Sequence, residues 1–203
     1  KIIKTYRRYN LNVYDFDNTI YKGDSTKDFY IFCLKRHKKI LLLLPSLTIA
    51  FLKYYVFKSG SKTQFKEKMY KFLRYCDIEN DVKDFWSTHK SNVKNFYINQ
   101  QKSDDVIISA SPEFLLKPLE NEFSFTVIAS KVDSKSGKYD GENCYWDEKV
   151  RRFYEVYPNG EIDDFYSDHY SDLPLAKISK RAFIVEGDNI IKWDFNKKFS
   201  PRI

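Results

Sequence analysis

The sequence predicts an α/β protein whose parallel sheet is interrupted, after its first strand, by an all-helical unit. In the second half of the chain, short β-leaning apolar runs alternate with residues at helical spacing, which is typical of a parallel sheet. Residues 21–100, by contrast, carry apolar residues at helical spacing only. Gly and Pro occur six times each, too rarely for a turn-rich β-protein.

The length and composition indicate a globular chain with one domain and a sizeable insertion. The chain has 203 residues, of which 42% are hydrophobic, and it includes 17 Phe and 16 Tyr. This apolar content supplies ample core and excludes a disordered chain. We therefore predict an α/β core formed by residues 1–20 and 101–203, and a helical cap domain over residues 21–100.

The net charge of +7 is compatible with several partners and equally with a merely soluble surface. Basic and acidic residues are interleaved along most of the chain without a clean Lys/Arg stripe, so we do not expect nucleic acid. Cys33, Cys76 and Cys144 are far apart and lack metal-ligand spacing, which predicts no disulfide framework and a cytoplasmic location. Residues 1–10 lack the apolar region of a secretory signal. The oligomeric state is left open.

The first strand is predicted at residues 11–15, and Asp24 or Ser25 then caps a helix. Residues 40–57 form the most hydrophobic stretch, and we expect two helices of a buried hairpin, with Pro45 opening the second and Gly60 closing it. A membrane span and membrane-surface contact are alternatives. Against a span, Pro45 and Lys53 interrupt a stretch that is already short.

Helical spacing continues through residues 65–73 and 82–97, where we interpret the aromatic stripe as core. The remaining predicted elements are strands at residues 105–109, 123–129, 162–167 and 182–185, an extended loop at 131–145, and a helix at 146–157.

Two aspartates follow the first predicted strand. Asp15 and Asp17 are two residues apart, so on a strand both side chains point the same way at its C-terminal end. Parallel sheets bind their ligands at that edge. Because neighbouring carboxylates repel each other, a proton or a cation such as Mg²⁺ is required there, which leaves one aspartate to act on a phosphate. The alternative is that the two aspartates merely end a strand in a solvated turn.

Other predicted strand ends carry further candidates. After Ser109 we expect a helix with Ser111 as its cap and Pro112 at its first position. The start of this helix beside the Ser109 hydroxyl would bind a phosphate, or it is an ordinary capped helix. Asp168 and Asp172 extend the acidic cluster. Lys149 either balances this charge or faces solvent, and His169 is left out of the metal site because Mg²⁺ prefers oxygen.

The order of these segments resembles the haloacid dehalogenase superfamily, and within it the phosphoserine phosphatase-like branch. The matching segments are Asp-Phe-Asp-Asn-Thr at 15–19, Ile-Ile-Ser-Ala-Ser at 107–111, Lys149, and Tyr-Ser-Asp with a second Asp four residues later at 166–172. The resemblance covers nearly the whole chain. It implies a Rossmann-like parallel sheet with a helical cap inserted between the first two motifs.

The resemblance also implies roles for these residues. Asp15 is the expected nucleophile, and Asp17 the general acid and base. Mg²⁺ is expected on Asp15, on the backbone carbonyl of Asp17 and on Asp168. The remaining expected site residues are Ser109, Ala110 and Lys149 at the phosphate, Thr19 and Asp172 in support, and Asp24 as a cap-side substrate contact.

We therefore predict an Mg²⁺-dependent phosphatase that hydrolyses a small phosphomonoester. The alternatives are a phosphotransferase to an acceptor other than water and a non-catalytic membrane-surface protein. The presence of Asp17 favours ester hydrolysis over carbon–halogen cleavage. Ser-Ala-Ser in the second motif, Ser167 and His169 depart from phosphoserine phosphatases and put phosphoserine in doubt as substrate. An apolar, aromatic cap suits a larger, more apolar phosphomonoester.

Overall fold

A computed structural model describes residues 9–197 and 199. It contains one six-stranded sheet with the order β3-β2-β1-β4-β5-β6. Strands β1 to β5 are parallel, as predicted, and β6 pairs antiparallel with β5 at the edge. Strand β6 was not predicted from the sequence, and its four residues are all exposed. The strands are β1 Tyr9–Tyr14, β2 Val106–Pro112, β3 Thr126–Ser130, β4 Gly160–Ser167, β5 Ser179–Glu186 and β6 Asn189–Lys192.

The central strands are apolar because both faces of the sheet are covered. Val13 and Ile108 belong to one buried hydrophobic cluster, and their chain neighbours Tyr14 and Ile107 belong to the other. Successive side chains on a strand point to opposite faces, so a strand covered on both sides needs a continuous apolar run. The sheet is thus the middle layer of the structure.

The chain between β1 and β2 is helical, as predicted. Asp24 caps the first helix by accepting a hydrogen bond from the backbone N–H of Lys27. Phe29 and Phe85 from these helices lie in the same cluster as Tyr14 of the sheet. The boundaries proposed at residues 20 and 100 stay a prediction. The α-helices of this region are α1 Ser25–Arg36, α2 Leu44–Phe51, α3 Lys62–Tyr70, α4 Ile78–His89 and α5 Asn95–Gln100.

The expectation of a buried hairpin at residues 40–57 is wrong. A 3₁₀ turn at Lys38–Leu43 leads into α2, and a π turn at Leu52–Val56 follows it. Leu42, Ile49 and Phe57 are 73%, 67% and 74% exposed. The stretch Lys38–Val56 is long and apolar enough to cross a membrane, and only 11% of it is buried. Apolar periodicity identifies side chains that gain from burial, but it does not show that the chain provides a cover for them.

The ends of this segment follow the sequence in part. Pro45 lies in the first turn of α2, as predicted. Gly60 does not close the helix, because the helical backbone already ends at Val56 and Lys58 takes a left-handed conformation before Gly60 is reached.

The second half of the chain alternates strands with short helices. Helix α8 corresponds to the helix expected at 146–157, and the segment 131–145 forms a loop with one isolated bridge between Val132 and Tyr139. The helix expected after β2 is present and is short, whereas the short helix after β4 was not predicted. The helices are α6 Glu113–Leu116, α7 Glu120–Phe123, α8 Asp147–Val156 and α9 Leu173–Ile178.

All three cysteines are free, in agreement with the absence of a disulfide framework. The structure nevertheless brings together Cys33, Cys76 and Asp81, whose potential ligand atoms lie within 4.8 Å of one another. The sequence spacing gives no sign of this cluster. The Asp81 carboxylate is already paired with Arg36 at 3.0 Å and with His37 at 2.6 Å. Its oxygens are therefore occupied by side chains of the helical region.

Gly137 is required where the 131–145 loop contacts the helical region. Its φ is +73°, and a Cβ atom built there would approach the backbone oxygen of Tyr70 to 2.6 Å. We expect Gly137→Ala to lower the free energy of unfolding by about 3 kcal/mol, because left-handed strain and a backbone clash add. Urea denaturation measures this change.

Gly187→Ala is the matched control. Gly187 also has a positive φ, +62°, but a Cβ atom there meets nothing within 4 Å. Gly187→Ala should lower the free energy of unfolding by about 1 kcal/mol, because only the strain of the left-handed backbone contributes. Equal losses in the two variants would contradict a close contact between the loop and Tyr70.

Candidate active site

The strand ends bring Asp15 to the C-terminal edge of the sheet. Asp15 follows β1 directly, and its backbone N–H donates to the carbonyl of Tyr166 in β4 at 2.9 Å. Its side chain is only 12% exposed. The carboxylate is thus held in a nearly closed site by the backbone of the neighbouring strand.

Lys149 is buried against this carboxylate. Its Nζ donates to Asp15 Oδ1 at 2.7 Å and to Asp172 Oδ2 at 2.8 Å. The side chain is 3% exposed, so the alternative of a solvent-facing lysine is excluded. Helix α8 carries Lys149 on its inner face together with Arg152 and Phe153. Helical spacing alone did not reveal which face of α8 is buried.

Asp172 and Thr19 connect the first and fourth motifs. Asp172 also accepts a hydrogen bond from Ser167 at 2.8 Å, so it is fixed from two sides and positions Lys149. Thr19 Oγ1 accepts the backbone N–H of Asp168 at 2.8 Å and lies 3.4 Å from Asp15 Oδ2. The loop that carries Asp168 is therefore held beside Asp15. His169 is exposed, and its Nδ1 accepts the backbone N–H of Ser171.

Asp17 does not pair with Lys149, and its contacts include the helical region. Its carboxylate accepts hydrogen bonds from the backbone N–H of Ser25 at 2.6 Å and from the Ser111 hydroxyl at 2.5 Å. Ser111 Oγ also lies 2.8 Å from the Thr26 hydroxyl oxygen. The second carboxylate of the motif is thus held between the start of α1 and the end of β2.

The expected role of Ser111 as a helix cap is wrong. Strand β2 extends through Pro112, and α6 begins only at Glu113 without a side-chain cap. The pairing of β2 with β3 shifts register between Ser109 and Pro112, which keeps these residues in the strand. The hydroxyl of Ser111 is free from capping as a result, and it binds Asp17.

Ser109 and Ala110 complete this side of the site. Ser109 is buried, and its hydroxyl oxygen accepts the backbone N–H of Ser111 at 3.1 Å. The carbonyl of Ala110 accepts a hydrogen bond from Lys66 Nζ at 3.1 Å. Lys66 comes from α3, and nothing in the sequence singled it out. A lysine within an amphipathic helix carries no signal of what it contacts.

A cavity of about 410 Å³ adjoins Asp17. Its polar wall includes Asp17, Ser111 and Asp24, so Asp24 both caps α1 and faces this space. The rest of the wall is mainly aromatic, from Tyr30, Tyr54, Tyr55, Phe65, Tyr70 and Phe72. A larger groove of about 1020 Å³ is lined by residues of α4 and contains none of the predicted site residues.

Burial and charge shift the acidity of the site. Burial raises the pKa of Asp15 and of Asp17, and it raises the pKa of Asp168 to about 6. Lys149 opposes the shift at Asp15. Burial lowers the pKa of Lys149, but the carboxylates of Asp15 and Asp172 raise it. Together they outweigh burial, so the pKa of Lys149 lies above its ordinary value. Lys149 is therefore an ammonium, and it stabilises ionised carboxylates on both sides.

The donor set fits a divalent, oxygen-binding cation. Lys149 donates a hydrogen bond to Asp15 Oδ1, while among the described residues Oδ2 has only the long Thr19 contact. The carboxylate of Asp168 accepts no hydrogen bond from the residues that the structure describes. Carboxylate and carbonyl oxygens are the ligands that Mg²⁺ prefers. One uncommitted oxygen on each aspartate matches such an ion.

The fold matches solved structures at low identity. A protein of unknown function from Bordetella pertussis Tohama I shares 18% identity and a TM-score of 0.65, over 88% of this chain and 89% of that one. The HAD family hydrolase t0658 from Salmonella enterica serovar Typhi shares 10%, with a TM-score of 0.54, over 84% and 60%. Phosphoserine phosphatase from T. onnurineus shares 15%, with a TM-score of 0.50, over 90% and 86%.

The sequence itself matches one family. No curated protein matches the chain. The family model of haloacid dehalogenase-like hydrolases matches residues 13–177, which include the aspartates after β1, the serines of β2, Lys149 and the acidic residues after β4. This match covers most of the chain and confirms the predicted resemblance. The chain therefore belongs to the haloacid dehalogenase-like hydrolase family.

Proposed function

We propose that this hydrolase is a phosphatase that cleaves phosphomonoesters through a phosphorylated Asp15. The main support for the proposal is the environment of the two aspartates. Asp15 is buried, and its Oδ1 accepts a hydrogen bond from Lys149 Nζ at 2.7 Å, whereas Asp17, two residues later in the chain, lines the cavity. This arrangement supports attack by Asp15 and proton transfer by Asp17. Family membership and fold similarity to a phosphoserine phosphatase support the same reaction class.

In the first step, an oxygen of Asp15 attacks phosphorus, and the bond from phosphorus to the ester oxygen breaks. Asp17 gives its proton to the departing oxygen, which leaves as an alcohol. Burial raises the pKa of Asp17 and so favours the protonated acid that this step needs. The hydrogen bonds from Ser25 and Ser111 hold the carboxyl group at the edge of the cavity.

In the second step, water attacks the phosphorus of the acylphosphate and gives a proton to Asp17. The bond between phosphorus and the Asp15 oxygen breaks, which releases inorganic phosphate and restores the carboxylate. Lys149 offsets the negative charge that gathers at Asp15 in both steps, and Asp172 keeps the ammonium in place. Ser109 and the backbone of Ala110 complete the phosphate-binding surface at the end of β2.

We propose Mg²⁺ as the cation, held by Asp15, the backbone carbonyl of Asp17 and Asp168. When bound, it would neutralise charge on the phosphate oxygens and polarise the phosphorus centre. Thr19 positions the Asp168 loop for this purpose through the backbone hydrogen bond at 2.8 Å.

Asp15→Asn should lower phosphate release from a panel of phosphomonoesters by about 10³-fold or more, because the amide is a poor nucleophile. Released inorganic phosphate is the measurement. Asp163→Asn is the control, since Asp163 pairs with Lys180 on the partly exposed side of β4, away from the site. Unchanged activity in Asp15→Asn would exclude Asp15 as nucleophile. Transfer of phosphate to an added alcohol in preference to water would identify a phosphotransferase.

Removal of divalent cations should abolish phosphate release, and added Mg²⁺ should restore it. Asp168→Asn should raise the Mg²⁺ concentration needed for half-maximal activity by about 10-fold or more, since it loses a charged ligand. Titration of activity with Mg²⁺ measures this shift. Full activity in the presence of a chelator would contradict the metal site.

Lys149→Met should lower the free energy of unfolding by about 3–5 kcal/mol, because it leaves two buried carboxylates without their cation. Adding Asp172→Asn to this variant should recover part of the loss, since one of the two charges is then removed. Urea denaturation of the single and double variants provides the comparison. Additive losses would show that Lys149 and Asp172 do not act as a pair.

A further inference from the structure

We infer that the enzyme binds an anionic membrane surface and takes a phosphomonoester with a long apolar chain. The inference rests on the proposed phosphatase function for its substrate, but its membrane contact is independent of it. The contact is made by the docking surface, defined as six of the exposed apolar side chains of the segment before, within and after α2. Its members are Leu42, Ile49, Phe51, Leu52, Val56 and Phe57.

The docking surface is too apolar for a face in contact with water alone. Each of its side chains is more than two-fifths exposed, and they lie within sixteen residues of one another in sequence. Single exposed apolar residues are ordinary on a protein surface, but a concentrated group marks a binding face.

The charge around the docking surface matches an anionic bilayer. Residues 29–66 contain eight Lys or Arg and no Asp or Glu. The chain has 35 basic and 28 acidic residues, so the rest of it holds 27 basic and 28 acidic residues and is nearly neutral. The net positive charge of the chain therefore comes from residues 29–66. Within this region, Lys39, Lys53 and Lys58 are exposed. Apolar side chains flanked by lysines are typical of segments that lie in the interface of anionic lipids.

The segment lies on the protein and does not leave it to span a bilayer. Tyr54, at its C-terminal end, stacks on Phe65 of α3 with ring centroids 5.0 Å apart. Lys53 carries a charge inside the stretch. A helix that crosses the membrane would give up the stacking and bury this lysine in hydrocarbon, whereas a surface-bound segment keeps both.

The same segment forms part of the cavity wall. Tyr54 and Tyr55 line the 410 Å³ cavity together with Phe65 and Met69, and the wall on the reaction side includes Asp17 and Ser111. An apolar chain that enters beside the docking surface can therefore fill the cavity while its phosphate lies near Asp17. A small polar ester would leave this aromatic wall without an apolar partner, so the geometry assigns an amphiphilic phosphate as substrate.

Straight-chain alkyl phosphates from ethyl to decyl test the substrate class. We expect kcat/KM to rise with length, by up to about fourfold for each methylene that the cavity buries. Met69→Gln should flatten this rise, because it puts a polar amide into the cavity wall that the alkyl chain would contact. A length-independent kcat/KM in the wild type would overturn the substrate class.

Co-sedimentation with vesicles tests the docking surface. The wild type should pellet with vesicles of phosphatidylcholine and phosphatidylserine, and much less with phosphatidylcholine alone or at high salt. Replacement of Leu42, Ile49 and Phe57 by Ser should abolish pelleting and hydrolysis of decyl phosphate in vesicles, while ethyl phosphate is still hydrolysed. The matched control replaces three exposed apolar residues elsewhere by Ser, namely Val156, Ile191 and Phe195.

These experiments test the membrane contact separately from the proposed function and its substrate. Absence of pelleting by the wild type would overturn the membrane contact, and a dimer in light scattering that the triple variant dissociates would then assign the surface to a second copy of the chain. Pelleting without phosphate release from any alkyl phosphate would remove the proposed function and its substrate while the membrane contact stands. Loss of pelleting in the control variant as well would show that the contact is not specific to the docking surface.

Discussion

The site depends on one buried ammonium between two carboxylates. Lys149 lies 2.7 Å from Asp15 and 2.8 Å from Asp172, and all three side chains are nearly closed to solvent. Charges of this kind are costly to bury unless they are paired and hydrogen-bonded. The pairing therefore fixes the position of α8 against the ends of β1 and β4. The ammonium also lowers the pKa of Asp15 and so opposes the larger upward shift that burial causes.

The two aspartates of the first motif serve different sides of the molecule because the chain turns between them. Asp15 ends the strand and interacts with Lys149, while Asp17 interacts with the start of α1 and with β2. A single short motif thus connects charge stabilisation inside the sheet with a cavity under the helices. This division of contacts supports the proposal that Asp15 attacks phosphorus and that Asp17 transfers protons.

The order of motifs was sufficient to predict the family, the parallel sheet and the meeting of Asp15, Lys149 and Asp172. Strand ends converge at one edge of a parallel sheet, so residue order carries spatial information there. The role of Ser111, the contact of Lys66 and the exposure of residues 38–57 were not predictable in the same way. They depend on a register shift in β2 and on which helix faces find a cover, and neither is encoded in local periodicity.

The hydrophobic cluster that Phe29 and Phe85 share with Tyr14 has a consequence for engineering. The helices between β1 and β2 cover one face of the sheet, and they hold no separate interior that is independent of it. Excising or exchanging this region would expose Tyr14 and Ile107 to water and remove Tyr97, an aromatic partner of Tyr14. Transplanting substrate preference between relatives is therefore better attempted by changing individual cavity side chains, because the helical region and the sheet share one hydrophobic cluster.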